Sequence, residues 1–419
     1  MDKFIIKGGN QLSGCLRVSG AKNASLPLMA ATLLAPGRHL IRNVPQLRDV
    51  RTMAHLLRVI GAKVDLSEHA LTVDTEHCTF WEAPYELVKT MRASVYVLGP
   101  LLARFKKARV SLPGGCAWGP RPVDLHLMGM QRLGARIELE GGYILAEADQ
   151  LKGAKINFPI PSVGATGNVM MAASLARGMT LIKNAACEPE IVALAEFINA
   201  MGGKVNGAGT DQVEIEGVSE LSPAEFGNIP DRIEAGTFLV AVALAGGDVT
   251  LQNLRPDHLE AVLDVLDRAG FMLETGESSV RIKAEGRAKP VDIRTAPFPG
   301  FPTDMQAQWI ALMSLAKGGC AVTDTIYPDR FTHVAELRRL GADIIVEGGT
   351  AMVRGVDHLR GAPVMSTDLR ASASLIVAGL AAEGQTDLSR VYHIDRGYER
   401  IEEKLRLLGA EIQRVDEPM

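Results

Sequence analysis

"LLRVIGAKVDL" (residues 56–66) sets an apolar-periodic helix against a short β-like run, with Gly61 at the join. The phrase returns as "GMQRLGARIEL" (129–139), "FINAMGGKVNG" (197–207), "VLDRAGFMLET" (265–275), "LRRLGADIIVE" (337–347) and "LRLLGAEIQRV" (405–415). The shared glycines, Gly61, Gly134, Gly202, Gly270, Gly341 and Gly409, stand 68 to 73 residues apart. A helix stopping into a strand commonly needs a left-handed residue at its end, and glycine adopts that conformation without steric cost. The spacing therefore predicts an α/β chain of six repeats, each about 70 residues long.

A second phrase recurs once per repeat: a helix of small residues, then glycine and a strand. Examples are "AKNASLPLMAATLLAPGRHLIRNV" (21–44), "EAGTFLVAVALAGGDVTLQNL" (234–254) and "RASASLIVAGLAAEGQTDLSRV" (370–391). These helices are apolar nearly all round, which predicts burial, whereas "YERIEEKLRLLGA" (398–410) keeps a charged face for the outside. Three repeats per domain, with buried helices central and sheets around them, is the economical packing. The boundary is expected near "EFGNIPDRIEAG" (225–236), and the opening strand "DKFIIKGG" (2–9) has no repeat of its own and should complete the last one. The expected domains are 22–229, and 1–21 with 230–419. The chain then crosses between them near Gly20 and near Ile229, a hinge around a cleft.

At 419 residues, 47% hydrophobic and 22% charged, the chain is an ordinary globular protein of two domains. A net charge of −4 gives no general attraction for nucleic acid, so any anion site must be local. No stretch is long and apolar enough for a signal peptide or a membrane span. Five scattered cysteines without a CxxC pair fit a reducing cytoplasm, and the histidines show no metal-ligand spacing. The expectation is a cytoplasmic protein with no metal, no nucleic acid and no membrane partner.

Charges sit at unexpected helix ends. Lys22, Arg92 and Arg370 occupy first turns of small-residue helices, where the helix dipole disfavours a cation by roughly 0.3–1 kcal/mol. Free N–H groups beside a cation make an anion site. Each cation alternatively pairs with a neighbouring carboxylate, as Asp368 beside Arg370; three at equivalent positions weigh towards a phosphate or carboxylate ligand. Loop cations Arg121, Arg330, Arg396 and Arg400 add to this. Asp304 opens another such helix and reads as a cap, or, facing arginines, as a general base for a hydroxyl.

In "SLPGGCAWGPRPVDLH" (111–126), glycines before Cys116 and prolines after it describe a mobile lid with one rigid margin. A thiol near cations has its thiolate favoured and should be reactive. The other four cysteines are expected to be structural. His126 suggests a Cys/His hydrolase only weakly, since no orienting third group is visible.

Together, "SGAKNASLP" (19–27), "KTMRASVYVLGPLLAR" (89–104), "SLPGGCAWGPRPVDLH", "SVGAT" (162–166), "PDRIEAGTF" (230–238), "FPTDMQAQ" (301–308), "STDLRASASL" (366–375) and "YHIDRGYERIEEKL" (392–405) resemble the UDP-N-acetylglucosamine enolpyruvyl transferases. The resemblance runs from the first strand to the last helix. It implies a two-domain inside-out α/β barrel with the active site in the interdomain cleft. It also implies addition–elimination between phosphoenolpyruvate and the sugar 3-hydroxyl, releasing phosphate, at the first committed step of peptidoglycan synthesis. By resemblance Cys116 is the acid, Asp304 the base, and Lys22 and Arg396 the further catalytic cations. Lys22, Asn23, Arg121, Arg330, Arg370 and Arg396 would bind phosphoenolpyruvate. Asn23, Arg92, Arg121, Pro122, Val123, Asp124, Leu125, Ser162, Val163, Gly164, Asp304 and Ile326 would bind the nucleotide sugar. No cofactor is implied, and the expected state is a monomer whose partners are its two small-molecule substrates. Departures from the family pattern are Arg48 for a common lysine, Ile160 and Pro161 before "SVGAT", and Trp118 and Pro120 in the lid. Two other readings stand beside this one: the sister enzyme acting on shikimate 3-phosphate, and a non-catalytic repeat scaffold that binds anions.

Overall fold

Each of the six glycines that end a repeat helix has a positive φ, from 94° at Gly134 to 111° at Gly61. The structure, a computed structural model, describes residues 2–89, 91–112 and 123–416, with the side chain of Arg92 also outside the description. Helices alternate along the chain. The first three repeats hold α1 (Lys22–Ala31), α2 (Arg48–Ile60), α3 (Leu98–Phe105), α4 (Asp124–Arg132), α5 (Val163–Ala173) and α6 (Pro189–Ala200). The last three hold α7 (Arg232–Ala245), α8 (Glu260–Arg268), α9 (Gln306–Met313), α10 (His333–Arg339), α11 (Leu369–Ala381) and α12 (Ile401–Leu407). Odd-numbered helices are the small-residue ones, and they are buried: every residue of α9 is, and so is Arg370 to Leu380 of α11. Each fully buried Leu, Ile or Phe on them contributes about 1.5–3 kcal/mol of transfer free energy. Small side chains let these helices approach one another, as α9 and α11 do.

Even-numbered helices were expected outside, and α12 follows, burying only Ile401, Glu402 and Leu405. α6 does not. Its sequence "PEIVALAEFINA" lacks a charged face, and Ile191, Leu194, Phe197 and Ile198 are buried where it packs on α1 and α5. The second small-residue helix also departs, starting as a 3₁₀ turn (Arg92–Val97) before α3.

Each repeat owns one four-stranded sheet, and all six share one pattern: a lead-in strand runs parallel to the strand after the inner helix, and two antiparallel strands follow. Asp2–Lys7 lies between Gln385–Ser389 and Glu411–Asp416, so the opening strand completes the last repeat as the sequence predicts. A second strand, Leu12–Arg17, follows it and was not anticipated. It is the parallel lead-in of the fourth repeat, pairing Leu16 with Leu251. The strand just before α7, Glu225–Gly227, instead pairs in the first repeat, Phe226 beside Ile41. The two lead-in strands are thus exchanged. Two compact units result, Gly20–Ile229, and Met1–Ser19 with Pro230–Met419, each with its own apolar core. Among the described residues no helix is long and apolar enough to cross a membrane.

Candidate active site

In the unit Gly20–Ile229, α1 opens at Lys22 with Ala21 extended before it, no side-chain cap and no acid in its first turn. Lys22 Nζ lies 3.4 Å from Asp49 Oδ2, in the first turn of α2, and both side chains are largely buried. The pairing is to a carboxylate 27 residues away, outside the reach of sequence reasoning. Asn23 follows in the same turn. Arg92 begins the 3₁₀ turn. Cys116, Arg121 and Pro122 lie outside the described residues, as does all of 113–122, the middle of the stretch expected to form a lid.

Val123 precedes α4, with Asp124 and Leu125 in its first turn. Ser162 caps α5, its Oγ accepting from Ala165 N at 3.3 Å, and Val163 and Gly164 follow in the first turn. His126 joins these two segments. A Cβ at Gly164 would lie 2.9 Å from His126 Nε2, so only glycine lets the ring pack there. The Asn168 amide sits 3.0 Å from His126 Nδ1; it also donates to Val95 O at 2.8 Å, and its Oδ1 accepts from Gly99 N at 2.7 Å. A ring buried and held this way is a packing element, and the hydrolase role considered for His126 is set aside. Ile160 is exposed, as is Arg48 at the start of α2.

In the other unit, the cap reading of Asp304 is corrected. Asp304 lies in a 3₁₀ turn (Thr303–Met305) and caps no helix. Its Oδ1 accepts from Arg330 Nη1 at 2.9 Å and its Oδ2 from Arg370 Nη2 at 2.8 Å. Asp368, the alternative partner for Arg370, is engaged elsewhere: its carboxylate caps α11, accepting from Arg370 N and Ala371 N. The guanidinium is thereby free to reach Asp304. Both arginines are nearly buried, at 9% and 6% exposure, while the carboxylate between them keeps 26%. Burial alone would lower the Arg370 pKa, but the Asp304 carboxylate more than reverses this and holds it above the usual value. The site therefore holds two fixed positive charges and one partly exposed anion.

Asp324, 1% exposed, supports it. Its Oδ2 accepts from Thr303 Oγ1 at 2.7 Å, and Thr303 in turn accepts from Arg330 at 3.1 Å. Its Oδ1 accepts from Ile326 N and Tyr327 N, which fixes the Ile326 turn. Arg396 ends a 3₁₀ turn (Val391–Arg396) and is half-buried. Sequence reasoning missed Thr303, Asp324 and Tyr398, whose hydroxyl accepts from Arg370 Nη1 at 3.0 Å. It also missed that α7 opens on a cation, Arg232, placed as Lys22 and Arg370 are.

Three of the four described cysteines fit a structural role, the half-buried Cys187 among them, its pKa raised by burial. Burial raises the pKa of Cys78 and pushes that of Cys320 up to about 12. Cys15 is exposed, because its strand is a sheet edge on which only Leu12 and Leu16 turn inward.

The profile of EPSP synthase (3-phosphoshikimate 1-carboxyvinyltransferase) matches residues 6–405. A protein of Geobacter metallireducens named UDP-N-acetylglucosamine 1-carboxyvinyltransferase is 56% identical over 417 residues, covering 100% of both chains. One of the same name from Chloroherpeton thalassium is 57% identical over 99% of this chain and 97% of its own. The enolpyruvyl transferase NikO from Streptomyces tendae superposes with a TM-score of 0.90 at 27% identity, covering 100% and 99% of the two chains. An EPSP synthase from Acinetobacter baumannii shares the fold, at TM-score 0.76 and 19% identity over 99% and 100%. The chain belongs to the enolpyruvyl transferase family, among the UDP-N-acetylglucosamine 1-carboxyvinyltransferases.

Proposed function

We propose that this transferase moves the enolpyruvyl group of phosphoenolpyruvate to the 3-hydroxyl of UDP-N-acetylglucosamine, with the side chains described above in defined roles. The hydroxyl oxygen bonds to C2 of phosphoenolpyruvate as Asp304 takes its proton, and C3 gains a proton from Cys116. Loss of a proton from C3 and of phosphate from C2 then restores the double bond. Lys22, Arg121 and Arg396 neutralise the phosphate, where fixed cations act most strongly on developing charge. Arg330 and Arg370 hold the carboxylate, and Asn23 lies near both substrates. Arg92, Arg121 to Leu125, Ser162 to Gly164, Asp304 and Ile326 take the nucleotide sugar.

The observation that carries this reading is Asp304, partly exposed and held by Arg330 and Arg370 instead of capping a helix. Each guanidinium has five donors, so an incoming carboxylate can join or replace Asp304 on them. That exchange would release the aspartate to act as base when the substrate is present. The enzyme works as a cytoplasmic monomer in peptidoglycan synthesis, with the two compact units as its domains. Scattered cysteines without a CxxC pair support the reducing compartment.

Phosphate release tests the function. It should require phosphoenolpyruvate together with UDP-N-acetylglucosamine. Release with shikimate 3-phosphate would point to the sister reaction, and no release with either acceptor to an anion-binding scaffold. The acid is tested with the epoxide fosfomycin. An adduct mapped by mass spectrometry belongs on Cys116, and modification elsewhere removes that assignment.

A further inference from the structure

Four polar side chains meet inside the apolar core of the unit that carries Asp304. Tyr398 is 1% exposed, and its hydroxyl lies 3.0 Å from Arg370 Nη1, 3.2 Å from Gln308 Nε2 and 2.8 Å from Thr237 Oγ1. Thr237 donates its own proton to Ile233 O at 2.8 Å, so in the remaining bond the phenol is the donor. Gln308 Nε2 also donates to Thr237 Oγ1 at 3.0 Å. Thr237, Gln308 and Arg370 sit on α7, α9 and α11, the three inner helices of the unit. Among the described residues the phenol is the group that links Thr237 and Gln308 to the Arg370 guanidinium. Burial raises its pKa, and it stays neutral, able to accept from Arg370 and donate to Thr237 at once.

We infer that Tyr398 is a positioning residue: its hydroxyl holds Arg370 Nη1 so that Nη2 meets Asp304, or a substrate carboxylate, in a fixed direction. The bond geometry argues for this. A guanidinium is planar, so fixing one nitrogen leaves only rotation about that contact for the other, and the Tyr398 ring, its centroid 5.5 Å from Arg370 Cζ, limits it further. Without the hydroxyl, a buried charged donor loses its acceptor, which costs more than a neutral hydrogen bond. The inference rests on the proposed reaction only in taking Arg370 as a carboxylate contact.

The test is Tyr398→Phe, with Thr237→Val and Gln308→Leu as companions. The companions disturb the same cluster but leave the Arg370 to Tyr398 bond in place. Tyr398→Phe should raise KM for phosphoenolpyruvate and lower kcat, giving about a tenfold loss in kcat/KM, the effect of roughly 1.4 kcal/mol. Its KM for UDP-N-acetylglucosamine should be unchanged. The companions should melt at lower temperature yet keep the wild-type phosphoenolpyruvate parameters. If kinetic loss instead follows melting temperature across all three, Tyr398 is structural and the inference is overturned. Should Tyr398→Phe fail to fold, kinetic loss for phosphoenolpyruvate in the two companions that tracks their melting temperatures overturns the inference by itself, since both keep the Arg370 to Tyr398 bond. Lack of phosphate release by the wild type would overturn the reaction itself, a different result from wild-type turnover with an unaffected Tyr398→Phe.

Discussion

Asp304 spends both carboxylate oxygens on arginines, and this fixes what its replacement should do. Asp304→Asn removes the base, so turnover should fall at least about 100-fold. The same change removes the anion that occupies Arg330 and Arg370, so phosphoenolpyruvate should bind more tightly, as read by calorimetry. Weaker binding would mean that the aspartate helps the arginines present themselves and does not compete for them. Neighbouring His333 gives a second residue-level prediction. Burial and the Arg330 charge push its pKa down to about 3, and its Nε2 has no hydrogen-bond partner among the described residues. An unfolded histidine takes up a proton near pH 6.5, whereas this one in the folded state resists until about 3. Stability from this group is therefore complete above about 6.5 and falls as pH drops, by about 1.4 kcal/mol per unit. His333→Gln should flatten that acid limb in urea titrations between about pH 6 and about pH 4, and an unchanged slope would assign the acid loss to other groups.

At the scale of elements, the repeat glycines are where sequence and structure meet most directly. Gly341 has φ of 96°, and a Cβ built there meets nothing within 4 Å. Gly341→Ala therefore tests backbone strain alone and should cost about 1–2 kcal/mol in chemical denaturation, with activity kept. A neutral result would mean the helix end relaxes without a left-handed residue. Six such glycines made the repeats legible, and the all-round apolar sequences made the inner helices legible. The exchange of lead-in strands was not, because Glu225–Gly227 is three residues long and carries no period to read. The site was legible in part. Cations at helix starts announced an anion, but Asp304 lies 26 residues from one of its arginines and 66 from the other. No local pattern distinguishes such an aspartate from a cap. Tyr398 was hidden for the same reason, since its partners arrive from three different repeats.

On the scale of the whole molecule, the exchanged strands make the two units unequal as pieces of chain. Residues 20–229 include every strand of their three sheets, whereas 230–419 lacks two. One of those two, Asp2–Lys7, lies inside its sheet, and with Leu12–Arg17 and Val18 it buries Phe4, Ile6, Leu12, Leu16 and Val18. At about 1.5–3 kcal/mol each, their loss is on the order of 10 kcal/mol, comparable with the entire stability of a domain. The crossing at Ser19 is also tied into this unit, since Ser19 N donates to the buried Glu234 at 2.6 Å and Lys404 reaches both. Residues 20–229 should therefore melt cooperatively as an isolated fragment, and 230–419 should not. Asp2 stands opposite Asp416 in an antiparallel pair, so a short linker can join the two strands as a hairpin. A single chain of 230–416, linker and 2–19 restores both missing strands and should regain a cooperative transition with near-native circular dichroism. If 230–419 alone melts as sharply and at the same temperature, the two opening strands are decoration, and the unit's stability resides in its inner helices.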